Sequence, residues 1–96
     1  MPELLVIMFK GCGEPCADIM RQLNEPSMRK FLKESHGIDK IRELDGESDD
    51  LAAKILISTE QYEMPLIATV KDKKVCVFKL DPLVIERCVE LKDVPK

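Results

Sequence analysis

The sequence predicts one α/β domain over residues 1–96, in which helices cover both faces of a mixed, four-stranded sheet. Two observations indicate this fold class. The continuous apolar run from Leu4 to Phe9 has the length and composition of a strand that is buried on both faces. From Pro15 onward the apolar residues change to helical spacing, and strand and helix patterns then alternate along the chain. A chain of 96 residues is the size of a single domain.

The first half of the chain predicts the order β-α-β-α. The helix that follows the first strand is kinked or restarted at Pro26 and ends at Gly37. The segment from Ile38 to Leu44 is ambiguous because its apolar residues fall three apart, but its shortness favours a strand. Either Ser48 or Asp49 can cap the second helix.

The second half predicts a hairpin and a last helix, which completes the order β-α-β-α-β-β-α. Apolar runs at 65–70 and 75–78 flank the charged turn 71–74, as in an antiparallel hairpin. Asp81 followed by Pro82 is a helix-start signal. The apolar residues after this signal recur at helical spacing: Val84, Ile85, Cys88 and Leu91.

Composition and charge exclude several classes of partner. The chain is 45% hydrophobic and 34% charged, with a net charge of -3 and a pI near 5.2. An acidic chain without a lysine or arginine cluster is not a general nucleic-acid binder. The N-terminal apolar run follows no basic residue and is too short to cross a membrane or to serve as a signal peptide. We therefore expect a cytoplasmic protein with neither nucleic-acid nor membrane partners.

Two cysteines, Cys12 and Cys16, lie at the junction between the first strand and the first helix. Metal ligation, a structural cross-link and reversible thiol–disulfide chemistry can each explain such a pair. Inside a cell, a close pair is more often a redox or metal site than a passive cross-link. The other two cysteines, Cys76 and Cys88, are expected to be small core residues, with a cross-link between them as the alternative.

The buried first strand, the cysteine pair before the next helix and Pro65 at the opening of the third strand resemble the thioredoxin/glutaredoxin superfamily. The resemblance extends over nearly the whole chain. It implies a thioredoxin-like fold and a thiol–disulfide oxidoreductase in which Cys12 and Cys16 are catalytic. It also implies that Pro65 is a cis-proline facing the thiols and that the backbone of Met64 binds an extended substrate.

The resemblance further implies which partners and cofactors the chain uses. Protein disulfides would be its substrates, and a thioredoxin-reductase-like enzyme or a small thiol would be its external reductant. No cofactor is expected beyond the cysteine pair itself, and we expect a monomer. The chain departs from the family pattern in several features, including a missing tryptophan before the cysteine motif and a first strand without an acidic residue. Three residues rather than two separate the cysteines, and the paired glycines that follow the fourth strand of glutaredoxins are absent, so glutathione binding is not assigned.

The residues between the cysteines suggest how the two thiols divide their roles. Pro15 suits the first helical position and should hold Glu14 extended, while Gly13 can adopt unusual dihedral angles. The loop can then fold Cys12 back onto Cys16. An exposed Cys12 would be the attacking nucleophile, and Cys16, in the first helical turn, would be the resolving thiol.

Charges near the pair should tune its reactivity. A helix N-terminus favours a thiolate over a thiol. We expect Lys10 to lower the pKa of the Cys12 thiol and Glu14 to oppose this effect.

Two alternatives come from a different class, the binding modules. Copper chaperones of the Sco type combine a cysteine pair of this spacing with a distant histidine, and His36 is the only histidine of this chain. Its place at a predicted helix end favours a capping or solvated role instead. The second alternative is a non-catalytic thioredoxin-fold module in which the Cys12–Cys16 bond is structural.

Overall fold

The computed structural model describes residues 3–62, 65–79 and 83–92. The elements within these ranges are β1 (Glu3–Met8), α1 (Glu14–Leu23), α2 (Pro26–His36), β2 (Lys40–Asp45), α3 (Asp50–Thr59), β3 (Leu66–Lys71), β4 (Lys74–Lys79) and β5 (Val84–Glu90). None of the helices in the described ranges has the length and hydropathy needed to span a bilayer.

The strands form one mixed sheet in the order β2-β1-β3-β4-β5. β1 runs parallel to β2, with Glu3 opposite Lys40, and antiparallel to β3, with Ile7 opposite Leu66. The remaining pairs, β3 with β4 and β4 with β5, are antiparallel. A parallel pair needs a long crossover connection, which α1 and α2 provide between β1 and β2. The mixed sheet is confirmed, but the described residues form five strands where four were predicted.

Helices cover both faces of the sheet, as predicted. There are two core clusters, one on each face, because successive side chains of β1 point to opposite faces. Leu4 and Val6 belong to one core cluster, which also contains Leu23 of α1 and Leu32 of α2. The second cluster contains the alternate residues of β1 together with residues of α3 and the neighbouring strands: Leu5, Ile7, Leu44, Ala52, Ile55, Leu56, Leu66, Ala68, Val75 and Val77. The first strand is therefore buried on both sides, as its continuous apolar run predicts.

Several local predictions are confirmed. The helical pattern restarts at Pro26, where α2 begins. Asp49 caps α3, since its carboxylate accepts a hydrogen bond of 3.0 Å from the backbone N–H of Leu51. In the β3–β4 hairpin, Asp72 and Lys73 have φ values of 50° and 65°. Two positive values in succession are typical of the tight turn that matches the twist of a hairpin.

The predicted last helix is wrong, because Val84–Glu90 forms strand β5. Its supposed start signal, Asp81 and Pro82, lies outside the described residues. Spacing alone did not distinguish the two structures, since Val89 and Leu91 also lie two apart. Both pack against the second core cluster described above, which we call the α3-side core. The segment is rich in β-branched residues, which favour strands, and β4 offers it a row of backbone partners.

The prediction that Cys76 and Cys88 are core residues is also wrong. The register of β4 and β5 places Cys76 directly opposite Cys88, and the two form a disulfide. Cys76 is half-buried and Cys88 is exposed. The cross-link that was the alternative is therefore present, because a strand replaces the expected helix beside β4.

Candidate functional site

The Cys12–Cys16 pair lies in the connection between β1 and α1. The backbone N–H of Cys12 donates a hydrogen bond of 3.1 Å to the carbonyl of Phe9, which turns the chain as it leaves the sheet. Because α1 begins at Glu14, Cys12 lies in the loop and Cys16 lies in the first turn of the helix. The two residues form a disulfide, and their Cα atoms are 5.9 Å apart. This separation is within the usual range for disulfides.

The two sulfur-bearing residues differ in exposure. Cys16 is only 4% exposed, whereas Cys12 is half-buried. A thiolate can exchange with a partner's disulfide only if the partner reaches it. An external molecule can therefore reach Cys12 more readily than Cys16, which is buried.

The loop depends on Gly13, whose φ is 70° and ψ is -140°. This backbone conformation is rare for residues that carry a side chain. Glu14 was expected to be extended, with Pro15 as the first helical residue, and this is wrong: α1 begins at Glu14 and Pro15 comes second. Proline is tolerated there because N–H groups of the first turn have no partner within the helix. Gly13 thus makes the turn that was attributed to Glu14.

An open cavity of about 470 Å³ adjoins the disulfide. Its walls combine the loop and first turns of α1 with the ends of β1 and β2. The lining residues are Met8, Phe9, Gly11, Cys12, Gly13, Cys16, Ala17, Met20, Arg21 and Glu43. The cavity therefore offers apolar surface with one cationic and one acidic side chain beside the sulfurs.

Sequence reasoning missed Arg21 and Glu43. Arg21 lies on α1 and forms an exposed ion pair with Asp18. Glu43 enters the site because the parallel register places it beside Val6, next to the strand that leads to the cysteines. Arg21 follows Ala17 by four residues, and this same-face spacing on the helix is a signal that could have indicated it. Glu43 could not be found without the strand pairing.

Lys10 and Glu14, the two charged residues expected to tune the Cys12 thiol, lie outside the lining of the cavity. The pKa of Asp45 lies below its usual value. Hydrogen bonds from the backbone N–H of Glu47 and from the Ser48 side chain are the main causes, and Lys10 adds a smaller effect. An influence of Lys10 or Glu14 on Cys12 stays a prediction.

The expected substrate platform is described in part. Met64 lies outside the described residues. Pro65 is half-buried, and because the next residue, Leu66, pairs with Ile7, it lies near the end of β1. Pro65 lines a separate cavity of about 240 Å³ with residues of β3, β4 and β5. The fold thus brings Pro65 to the end of the strands where the cysteine loop begins, but not into the cavity beside the disulfide.

His36, the residue on which the copper alternative depends, packs between aromatic rings. Its ring centroid is 5.7 Å from that of Phe31 and 5.1 Å from that of Phe78, both in edge-on geometry. Within residues 3–62, 65–79 and 83–92, no group of three or more histidine, cysteine, aspartate or glutamate side chains is placed to hold a metal ion. A role in packing accounts for the position of His36.

Comparison with known proteins finds no matching family model, no similar curated protein and no similar solved structure. The functional argument therefore depends on the geometry of the site.

Proposed function

We propose that this protein is a thiol–disulfide oxidoreductase that acts through Cys12 and Cys16. The observation that carries the proposal is the asymmetric disulfide at the start of α1, with a reachable Cys12 and a buried Cys16 beside an open cavity. The strand order β2-β1-β3-β4 and the helices on both faces also agree with the thioredoxin-like arrangement that the sequence resembles. The fifth strand, which replaces a last helix, departs from it.

In the reduced protein, the Cys12 thiolate attacks one sulfur of a substrate disulfide. A mixed disulfide forms, and the other substrate sulfur leaves as a thiolate that takes up a proton. The Cys16 thiolate then attacks the Cys12 sulfur, which re-forms the Cys12–Cys16 bond and releases the second substrate thiol. The substrate gains two electrons, and an external thiol reductant restores the protein.

The position of the pair favours this chemistry. The first N–H groups of α1 carry partial positive charge, which stabilises a thiolate in the adjoining loop relative to the thiol. Since Cys16 is held in the first turn of α1, it can attack Cys12 without rearrangement of the sheet. The proposal needs no metal or organic cofactor for its electron balance.

The cavity suggests a polypeptide substrate. Met8, Phe9 and Met20 offer apolar contact area, while Arg21 and Glu43 can pair with charges of either sign. Such a mixed, open wall suits side chains of an extended segment better than one rigid small molecule. We therefore propose protein disulfides as substrates.

Single substitutions at the pair test the division of roles. The background should be Cys76→Ser/Cys88→Ser, so that the second disulfide cannot contribute. Cys16→Ser is expected to accumulate a mixed disulfide with a model disulfide protein, whereas the matched control Cys12→Ser should accumulate none. Equal trapping by both variants, or trapping by neither, would contradict the assigned roles.

A redox titration distinguishes the catalyst from a module with a structural bond. In the same background, the fraction of free Cys12 and Cys16 thiols can be counted by mass-tagging across glutathione and dithiothreitol buffers. A catalyst is expected to have a midpoint between about -270 and -120 mV, and a structural bond one below about -300 mV. A midpoint below about -300 mV would contradict the oxidoreductase and favour the non-catalytic module.

A further inference from the structure

The second disulfide, Cys76–Cys88, is distant from the first. Thr69, which lies opposite Cys76, donates a hydrogen bond of 2.9 Å from its hydroxyl to the carbonyl of Glu3. Cys76 is therefore level with the start of β1, whereas Cys12 lies beyond its end. Six strand residues span roughly 17–20 Å, and two strand spacings add a sideways offset. The two disulfides cannot exchange with each other directly in the folded protein.

The side chains of Cys76 and Cys88 lie on the face opposite α3. Their neighbours Val75, Val77 and Val89 pack with the α3-side core, and alternation along the strands places the cysteines on the other face. Helices α1 and α2 cover that face over the central strands but leave Cys88 exposed and Cys76 only half-buried.

The bond joins β4 to β5, which is the outermost strand of the sheet on this side. An incoming thiolate approaches a disulfide in line with the bond that it breaks. From the side beyond β5, which is an edge strand among the described residues, such an approach reaches the exposed Cys88 first. The same approach to Cys76 must pass over β3 and Thr69. The accessible sulfur is therefore that of Cys88, and Cys76 provides the leaving thiolate.

Other contacts hold β5 in place independently of the disulfide. The Arg87 guanidinium donates a hydrogen bond to the carbonyl of Thr59. The backbone N–H of Lys92 donates one of 2.7 Å to the hydroxyl of Ser58. These contacts and the ladder to β4 do not involve the disulfide, so we expect them to keep Cys88 opposite Cys76 after the bond opens. Opening and closing the disulfide therefore does not require unfolding.

We propose that Cys76–Cys88 is a second thiol–disulfide exchange site, at which an external thiol attacks Cys88. The first step forms a mixed disulfide on Cys88 and releases the Cys76 thiolate. A second external thiolate then attacks the sulfur of the bound thiol, which frees Cys88 as a thiolate. Two external thiols become one disulfide, and the protein gains two electrons and, on protonation, two thiols. Exposed disulfides are the ones that exchange most readily, whereas structural disulfides resist the glutathione pool.

The test uses the variant Cys12→Ser/Cys16→Ser, which contains only the second disulfide. The folded protein is incubated with excess reduced glutathione, quenched with N-ethylmaleimide and mapped by mass spectrometry. The expected early product carries glutathione on Cys88 and N-ethylmaleimide on Cys76, in roughly tenfold excess over the reverse product. An excess of the reverse product would overturn the assignment of Cys88 as the attacked sulfur.

A second measurement separates native exchange from exchange through unfolding. Low concentrations of urea multiply the unfolded fraction, but they leave native exchange nearly unchanged. We expect the rate of adduct formation to vary by less than about twofold over the native baseline of a urea titration. A rate that rises in proportion to the unfolded fraction, or no adduct without denaturation, would show that the bond is structural. Neither result bears on Cys12 and Cys16, which this variant lacks.

Discussion

The two disulfides should contribute unequally to stability, and the larger contribution should come from Cys76–Cys88. A disulfide stabilises a fold mainly by restricting the unfolded chain, and the effect grows with the length of the loop that it closes. The sequence separations are 12 for Cys76–Cys88 and 4 for Cys12–Cys16. The chain-entropy relation then gives about 3 kcal/mol for the former and about 2 kcal/mol for the latter at 25 °C.

The cleanest perturbation is reduction within a protein that has one disulfide, because the sequence is then the same in both states. Urea unfolding of Cys12→Ser/Cys16→Ser, with and without dithiothreitol, measures the contribution of Cys76–Cys88. For a domain of this size, a loss of about 3 kcal/mol lowers Tm by roughly 12–24 °C. The matched control, Cys76→Ser/Cys88→Ser, should lose less on reduction of its remaining disulfide.

The reasoning would be refuted if reduction of Cys76–Cys88 cost no more than reduction of Cys12–Cys16. That result would mean that residual contacts between β5 and its neighbours already restrict this segment in the unfolded chain. The other explanation would be that the disulfide changes the free energy of the native fold by as much as it changes that of the unfolded chain. An unchanged slope against urea is needed for the comparison, since a changed slope would indicate a different unfolded state.

Three further substitutions test the surroundings of the first cysteine pair. A Cβ atom at Gly46 would overlap the ring of Phe9, so Gly46→Ala should lower the free energy of unfolding by about 1–3 kcal/mol in urea titrations; an unchanged stability would mean that the ring moves freely. The lowered pKa of Asp45 implies that its charge stabilises the fold at neutral pH and that this contribution is lost as pH falls below 3.8. Asp45→Asn should therefore be less stable than the parent at pH 7, and the difference in the free energy of urea unfolding should shrink as the pH falls below 3.8; a constant difference would rule out the charge. Glu14→Gln removes a negative charge near Cys12, so the reduced thiol should react with iodoacetamide faster at neutral pH, by less than about tenfold; a slower reaction would contradict the electrostatic account.

The sequence predicted most of the central fold because its signals there are local and agree with one another. The apolar run before Phe9, the proline at position 26 and the cap at Asp49 each specify a structure through their own backbone chemistry. The prediction for residues 84–90 failed because helical spacing and strand alternation both fit the few apolar residues of this segment. Which of them forms depends on the free edge of β4, a partner that is distant from it along the chain.

The residues of the candidate site also divide into those that the local sequence indicates and those that only the fold brings together. Cys12 and Cys16 could be identified from their spacing and from the strand and helix around them. Glu43 could not, because only the register of β1 with β2 brings it beside the cysteines. The expected effect of Lys10 on the Cys12 thiol stays a prediction, although Lys10 also contributes a small part of the lowered pKa of Asp45.

The sequence by itself therefore determined the first strand, the crossover helices, the hairpin and the cysteine pair at the start of α1, since the pattern that predicts each of them lies within one short stretch of the chain. Only the tertiary structure decided that Cys16 is buried, that β5 is a strand and that Cys76 is bonded to Cys88. The physical reason is that burial, strand register and disulfide pairing depend on which distant segments meet. Contacts between distant segments result from the packing of the whole chain rather than from any local pattern.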